Sequence, residues 1–508
     1  MHKPQILIVD LGSQYTLVIA RTLRELGYRS AVLPPEKVEL WLSNHPPKAI
    51  ILSGGYASVT DADAPQIPEA VFEAKVPILG ICYGAQYLAQ KFGGVVASNE
   101  AHREYGPTTV NCSIDVTLFA GLQESAQSVW ASHGDTVAEL PKGFKEIARS
   151  QTEGIAGFVS PDQKLWAMQF HPEVHHTKEG TTMLKNFLAE IAGCNVDWRP
   201  SDVIKTIQAE VGELAPDTKV LLGFSGGVDS TVAAAILAPV FGERLFGVCI
   251  DGGHLREGEL TEIERHAEAA GICLGVIDAR QDFQRELGET ANAEERRAAF
   301  RNFYREILER EGKTFGATVI VQGTLATDLI ESGKTGGALI KTHHNTGISW
   351  EQFDTVLEPL NHLFKYEVRA LAEELGLPET VTSREPFPGP GLFLRVIGVP
   401  ATLARLDLVR WADAEVRQIV KEAGIDDISQ LVVALAALDT VGVVGDARAY
   451  GPSILIRGVR TIDYMTAAGV QLPAEVRAKI TTRLTQHKEI VRVWFDETPQ
   501  PPATTEYM

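Results

Sequence analysis

Short runs of apolar residues alternate with stretches of helical periodicity, twice over, along this chain of 508 residues, and no other feature restricts its fold as much. In the first series the runs cover residues 6–10 (ILIVD), 49–55 (AIILSGG) and 76–82 (VPILGIC). Each is too short for a helix and apolar at successive positions, so each reads as a strand buried on both faces. Such strands need a mostly parallel sheet covered by helices. At residues 193–201 the text GCNVDWRPS breaks the rhythm, and a helical stretch from Asp202 leads into a second series, 220–224, 245–251 and 318–322, separated by helical segments such as 259–270 and 294–310. Beyond PFPGPGL at 386–392, proline and glycine mark a change of texture, followed by a helix over 403–423, strand-like pieces and a helix over 473–488. The expected fold class is α/β: two α/β domains with mostly parallel sheets, residues 1–195 and 200–385, then an α+β C-terminal domain, residues 386–508.

Charge and cysteine usage narrow the setting. Lys and Arg total 47 against 66 Asp and Glu, a formal charge of −19, which repels a phosphate backbone unless basic residues gather on one face, so nucleic acid is not an expected partner. The five cysteines (Cys82, Cys112, Cys194, Cys249, Cys273) are scattered without a C-x-x-C pair, which points to a reducing compartment. The N-terminus MHKPQILIVD enters a strand-like run without a secretory signal, and the longest apolar stretch, 431–438, is stopped by Asp439 before it could span a bilayer. A cytoplasmic location without membrane association is expected. The adjacent pairs His175/His176 and His343/His344 lack a completing cysteine or carboxylate, and neighbours on a regular element point apart, so a structural metal is not expected there. Trp198, Trp411 and Trp494 read as packing or interface residues, and the charged run 294–310 reads most simply as a solvated helix face, with arginines lining a nucleotide site as the alternative.

Two stretches carry chemistry. In ILGICYGAQYLAQ, Cys82 stands where a buried strand ends and a helix begins, with Gly80 and Gly84 permitting a sharp turn around it. That geometry exposes a nucleophile on an elbow, and the helix N-terminus beyond it favours thiolate; a small buried core cysteine is the alternative. AMQFHPEV then puts His171 and Glu173 after a strand-like run, where an imidazole can deprotonate Cys82 while the carboxylate orients it. The second stretch, VLLGFSGGVDSTVAAAILA at 220–238, is a strand, a glycine turn and a helix. It does not satisfy G-x-x-x-x-G-K-[ST], yet its N–H groups and helix dipole can cradle an anion, with Ser225 and Ser230 adding hydroxyls. With no lysine in the loop, a leaving pyrophosphate is the expected cargo.

The first stretch, with HPE and the upstream LSGG, resembles the class I glutamine amidotransferases over about residues 5–190. The resemblance implies that Cys82 attacks the glutamine side-chain amide, His171 is the base and Glu173 its orienter. It places Gly54, Gly55 and Tyr83 at the oxyanion hole and Gln86, Ser132, His133, Gly134 and Asp135 around the glutamine. SGGVDS resembles the signature of the N-type ATP pyrophosphatases, whose fold is that of the adenine-nucleotide α-hydrolases. It implies ATP bound by Ser225, Gly226, Gly227, Val228, Asp229, Ser230, Asp251 and Gly323, with Asp229 holding Mg²⁺ or, alternatively, capping the helix.

From end to end the chain resembles the glutamine-hydrolysing GMP synthase family, through VQGTLATDLIES at 321–332, IKTHHN at 340–345, LFKYEVR at 363–369, PFPGPGL and the final PPATTE. The resemblance implies a small-molecule enzyme acting on glutamine, ATP and xanthosine monophosphate, and a homodimer. The acceptor would be bound by Asp328, Glu331, Lys341, His343, Gly389, Pro390, Gly391, Arg492 and Glu506. Departures cluster in the nucleotide half: IDGGHLR at 250–256 stands where the family usually reads VDHGLLR, RRAAFR stands for KRKxIG, Asn361 and Tyr366 differ, and Gln500 replaces a lysine. Loss of a cationic phosphate contact at Gln500 costs on the order of 1.5 to 3 kcal/mol. The alternative is therefore a paralogue that aminates another purine analogue or heterocycle. A catalytically silent regulator has no use for a reactive thiol at Cys82 with His171 and Glu173 beside it.

Overall fold

The computed structural model describes residues 4–13, 15–61, 63–98, 104–325, 350–361, 363–444, 447–461, 467–500 and 503–508. They divide into two compact units, with the division in sequence between Val203 and Ile204.

The first unit is built on a sheet of eleven strands among the described residues. One half is parallel, in the order Ser30–Leu33, Ile6–Leu11, Ala49–Gly55, Ile78–Ile81, Leu165–Met168, and the remainder is antiparallel. Alternation explains why it is covered on both sides. Ile6, Ile8 and Ile51 pack in one apolar cluster with Ile19 and Leu23 of helix Thr16–Glu25, while Leu7, Val9, Ile50 and Leu52 pack in another with Ala85 and Leu88 of helix Tyr83–Lys91. Three strand ends that carry chemistry, those of Ala49–Gly55, Ile78–Ile81 and Leu165–Met168, are lateral neighbours and point the same way.

The second unit holds two five-stranded sheets among its described residues. The first is wholly parallel, in the order Cys273–Asp278, Leu245–Asp251, Val220–Gly223, Val319–Val321, Thr355–Leu357. Strand order reverses between Val220–Gly223 and Val319–Val321, which opens a crevice at their carboxyl ends. The second sheet is dominated by the antiparallel pair Gln430–Val444 and Ala447–Arg460, into which the apolar run 431–438 is absorbed. The expected boundary at 385/386 separates two sheets that share one core: Leu221, Val248 and Ile320 belong to the same apolar cluster as Val433, Ile454 and Ile456, joined through Phe283, Phe393, Leu406 and Val409.

Two sequence expectations are corrected. Helix Ala293–Phe315 does not present all its charges to water: Arg296 is fully buried and donates to the carbonyls of Thr290, Phe393, Val396 and Val399 at 2.5–2.9 Å, clamping the segment that follows PFPGPGL. Burial pushes this guanidinium down to about 10, so it is still charged at neutral pH. His175 and His176 do not point apart, because they lie in a run of turns and not on a regular element, and their ring centroids are 3.9 Å apart.

Candidate active sites

Cys82 follows strand Ile78–Ile81 directly, with φ 52° and ψ −105°, a conformation that costs an L-residue about 1–3 kcal/mol. The surroundings enforce it. Cys82 N–H donates to Met168 O at 2.8 Å, and helix Tyr83–Lys91 starts at the next residue. Glycine is required on both sides, since a Cβ on Gly84 would lie 2.5 Å from Leu52 O and one on Gly80 2.6 Å from the Gly84 carbonyl.

His171 comes from the end of the adjacent strand and is 2% exposed. Its Nδ1 is 2.8 Å from Glu173 Oε1, which leaves the other ring nitrogen available to Cys82, whose influence on the imidazole is favourable to its charged form. Burial works against protonation of this imidazole, but the Glu173 carboxylate and Cys82 outweigh it and hold the pKa well above the usual histidine value. The backbone is pinned as well: His171 N–H donates to Trp130 O at 2.9 Å and Thr177 Oγ1 to His171 O at 2.6 Å.

The remaining first-unit residues collect around this pair. A Cβ on Gly54 would stand 3.3 Å from His171 Cε1 and one on Gly55 2.9 Å from the Tyr83 ring, so both glycines keep the wall beside the thiol open. Ser132 O accepts from Cys82 Sγ at 3.7 Å, and Gln86 Nε2 donates to Asp135 O at 2.8 Å, tying the SHGD turn to the elbow helix. His133 is buried with Nε2 3.4 Å from Glu104 Oε2, and Gly134 faces the Tyr105 hydroxyl. Sequence reading missed Gln169, whose Nε2 donates to Cys82 Sγ at 3.8 Å while its Oε1 accepts from Gln86 at 3.4 Å. The signal was its place two residues before His171, at the end of the same strand.

In the second unit the glycine turn leads from Val220–Gly223 into helix Val228–Phe241, at the point where strand order reverses. Gly226 has φ +67°, and its carbonyl is held by His266 Nδ1 at 2.9 Å. Ser225 Oγ accepts from Gly227 N–H and lies 3.2 Å from Ser230 Oγ. A cavity of about 270 Å³ is lined by Ser225, Gly227, Val228, Asp229, Ser230 and Gly323 of the expected ATP residues, with Phe300, Tyr304 and Trp350 among its apolar walls. Gly226 is not part of this lining. Asp251 is not part of it either, and its carboxylate accepts Gly253 N–H at 2.9 Å.

Asp229 does not cap the helix: the cap residue is Gly227, and Asp229 sits within the first turn. Its Oδ2 is 2.6 Å from Lys365 Nζ, while Oδ1 is buried without a hydrogen-bond partner among the described residues. The loop without a lysine therefore has one, delivered from the helix Lys365–Glu374. Arg384 joins it, with Nη1 donating to Ser225 O at 3.1 Å and Nη2 paired with Glu259. Both cations line the cavity, and neither could be assigned from spacing because 136 and 159 residues separate the partners.

Of the expected acceptor residues, Asp328, Glu331, Lys341 and His343 lie outside the described residues. Gly389 lines the cavity; Pro390 and Gly391 follow it, with Gly391 at φ +54° against the His254 carbonyl. Arg492 is not among the lining residues and lies over the Trp494 ring at 5.6 Å. Glu506 is committed to the protein: its two oxygens take Arg395 Nε and Nη2 at 2.9 Å each, and Gln430 Nε2 at 2.7 Å, because the fully buried Arg395 requires a counter-charge.

Comparison with known proteins covers the whole chain. The family model described as glutamine amidotransferase class-I matches residues 7–191, NAD synthase matches 201–303 and GMP synthase C terminal domain matches 417–507. A protein of Thermobifida fusca (strain YX) named "GMP synthase [glutamine-hydrolyzing]" is 42% identical over 518 residues, covering 99% of this chain and 97% of that one. One of the same name from Clostridium botulinum (strain Alaska E43 / Type E3) is 40% identical, covering 100% of both. The solved structure of a glutamine amidotransferase from Thermotoga maritima is 22% identical, covering 38% of this chain and 99% of that one, with a TM-score of 0.33.

Proposed function

Because this chain belongs to the glutamine-hydrolysing GMP synthases, we propose that its two sites divide one reaction, ammonia release at Cys82 and nucleotide activation in the cavity at Ser225–Ser230. It is an ATP-dependent carbon–nitrogen ligase that aminates xanthosine monophosphate to GMP. His171 takes the Cys82 proton and the thiolate adds to the side-chain amide carbon of glutamine. The tetrahedral oxyanion is met by backbone N–H groups near Gly54 and Tyr83. His171 returns the proton to the departing nitrogen, ammonia leaves, and water hydrolyses the thioester to glutamate.

In the cavity the purine O2 attacks the ATP α-phosphorus. Pyrophosphate departs into the glycine turn, where the N-terminus of Val228–Phe241, Lys365 and Arg384 offset its charge. Ammonia then displaces AMP at C2. The unpartnered Oδ1 of Asp229 fits Mg²⁺ carried in on ATP, an ion that binds through one or two carboxylates plus phosphates and supplies charge neutralisation.

The observation that carries this reading is the connected set Cys82, His171 and Glu173 at adjoining strand ends. Replacing Cys82 by Ala tests it: glutamine-dependent GMP formation is expected to vanish while ammonium-dependent formation persists. Loss of both, in a folded protein, overturns the division of labour. A homodimer is supported by Val441, Val443 and Tyr450, exposed apolar side chains on the paired strands of the C-terminal hairpin. No helix among the described residues is long and apolar enough to cross a membrane.

A further inference from the structure

We infer that His254 determines acceptor specificity: its Nε2–H is a fixed hydrogen-bond donor to a carbonyl oxygen or unprotonated ring nitrogen of the heterocycle being aminated. The inference rests on reading the cavity as the nucleotide-activating site.

The tautomer follows from the local turn. His254 stands in GGHL after strand Leu245–Asp251, and Gly252 N–H donates to its Nδ1 at 3.2 Å. A nitrogen that accepts carries no proton, so the ring proton is on Nε2. The ring plane is fixed too: it stacks on Phe283 with centroids 5.8 Å apart at 18° and meets the edge of Phe300 at 5.7 Å and 75°. Residue 252 must be glycine for this, since a Cβ there would come 2.7 Å from the Phe283 ring and 3.0 Å from Nδ1. His254 is 7% exposed, lines the cavity, and leaves Nε2 without a partner among the described residues.

The position of that donor follows from the backbone. His254 O accepts from Leu392 N–H at 3.0 Å, and Gly391 is packed so closely that a Cβ would be 2.4 Å from the same oxygen. The His254 turn is thereby joined to the loop whose Phe387, Pro388 and Gly389 line the same cavity, Gly389 being one of the residues expected at the acceptor. Burial pushes the imidazole down to about 4, against the opposing pull of Glu259 and Asp251 and with Arg410 adding to the fall, so the ring is neutral at physiological pH. A neutral donor with a fixed direction rejects a ring that offers a C–H or N–H at that place, because the donor would be left buried and unpaired.

The test uses the full chain with ammonium as nitrogen source, varying xanthosine monophosphate and ATP separately for the wild type, His254→Leu and His254→Gln. Leucine removes the donor; glutamine places an amide N–H near the position of Nε2. His254→Leu is expected to raise KM for the acceptor about tenfold with ATP KM changed by less than about twofold, and His254→Gln to recover most of the loss. An unchanged acceptor KM in His254→Leu, a rise in ATP KM instead, or a His254→Gln as impaired as His254→Leu each overturns the inference while leaving the functional reading intact. A wild type that forms no GMP overturns the functional reading itself, and the inference with it.

Discussion

At His171 desolvation and attraction oppose each other, and the Glu173 carboxylate decides the outcome. A histidine whose pKa is raised on folding contributes stability that is fully present below its unfolded value, about 6.5, and is lost as pH rises through the folded value. Glu173→Gln is therefore expected to destabilise the protein most near pH 6, with the difference from wild type narrowing as pH increases. Urea midpoints across that range check it, and a difference that widens with pH refutes it. The same variant should lose glutaminase turnover on the order of a hundredfold or more, since an unoriented imidazole is a poor base. Lys365 marks the limit of local reading at this scale. It lies within LFKYEVR, but only folding reveals that its ammonium reaches Asp229.

The elbow shows how an element can be specified by what it excludes. Gly80 and Gly84 are dictated by contacts with backbone atoms, which cannot move aside as a flexible side chain can. Gly84→Ala should cost about 1–3 kcal/mol by overpacking and displace Cys82, as read by chemical denaturation together with glutaminase assay. Ammonium-dependent synthesis should survive; if glutaminase activity is also undiminished, the elbow is not what presents the thiol. The helix Ala293–Phe315 taught the opposite lesson. Its charge density suggested a solvated face, yet Arg296 satisfies four backbone carbonyls in the core, an arrangement that depends on residues about a hundred positions later.

For the whole molecule, the extended C-terminal hairpin leaves large apolar side chains in water. Val443 is 76% exposed and Tyr450 63%, on strands otherwise well paired. If this face joins two copies, Val443→Glu should weaken association at least about tenfold, seen as monomer in sedimentation at micromolar protein. An undisturbed dimer would place the interface elsewhere. Either result leaves the core shared by the two sheets of the second unit intact, because Leu431, Val433 and Ile456 pack inward on the same strands.

Sequence alone determined the two α/β series, the glycine-flanked elbow at Cys82, the His171–Glu173 pair and the strand, turn and helix over 220–238, because each is encoded by residues close together whose periodicity or glycine content has a local physical meaning. Only the tertiary structure decided that Gln169 contacts the thiol, that Lys365 and Arg384 supply the turn with positive charge, and that Glu506 neutralises Arg395. It also decided that His254 accepts Gly252 N–H at Nδ1 and lines the cavity. Those pairings join residues distant along the chain, and a buried charge or donor acquires its partner only when the core closes around it.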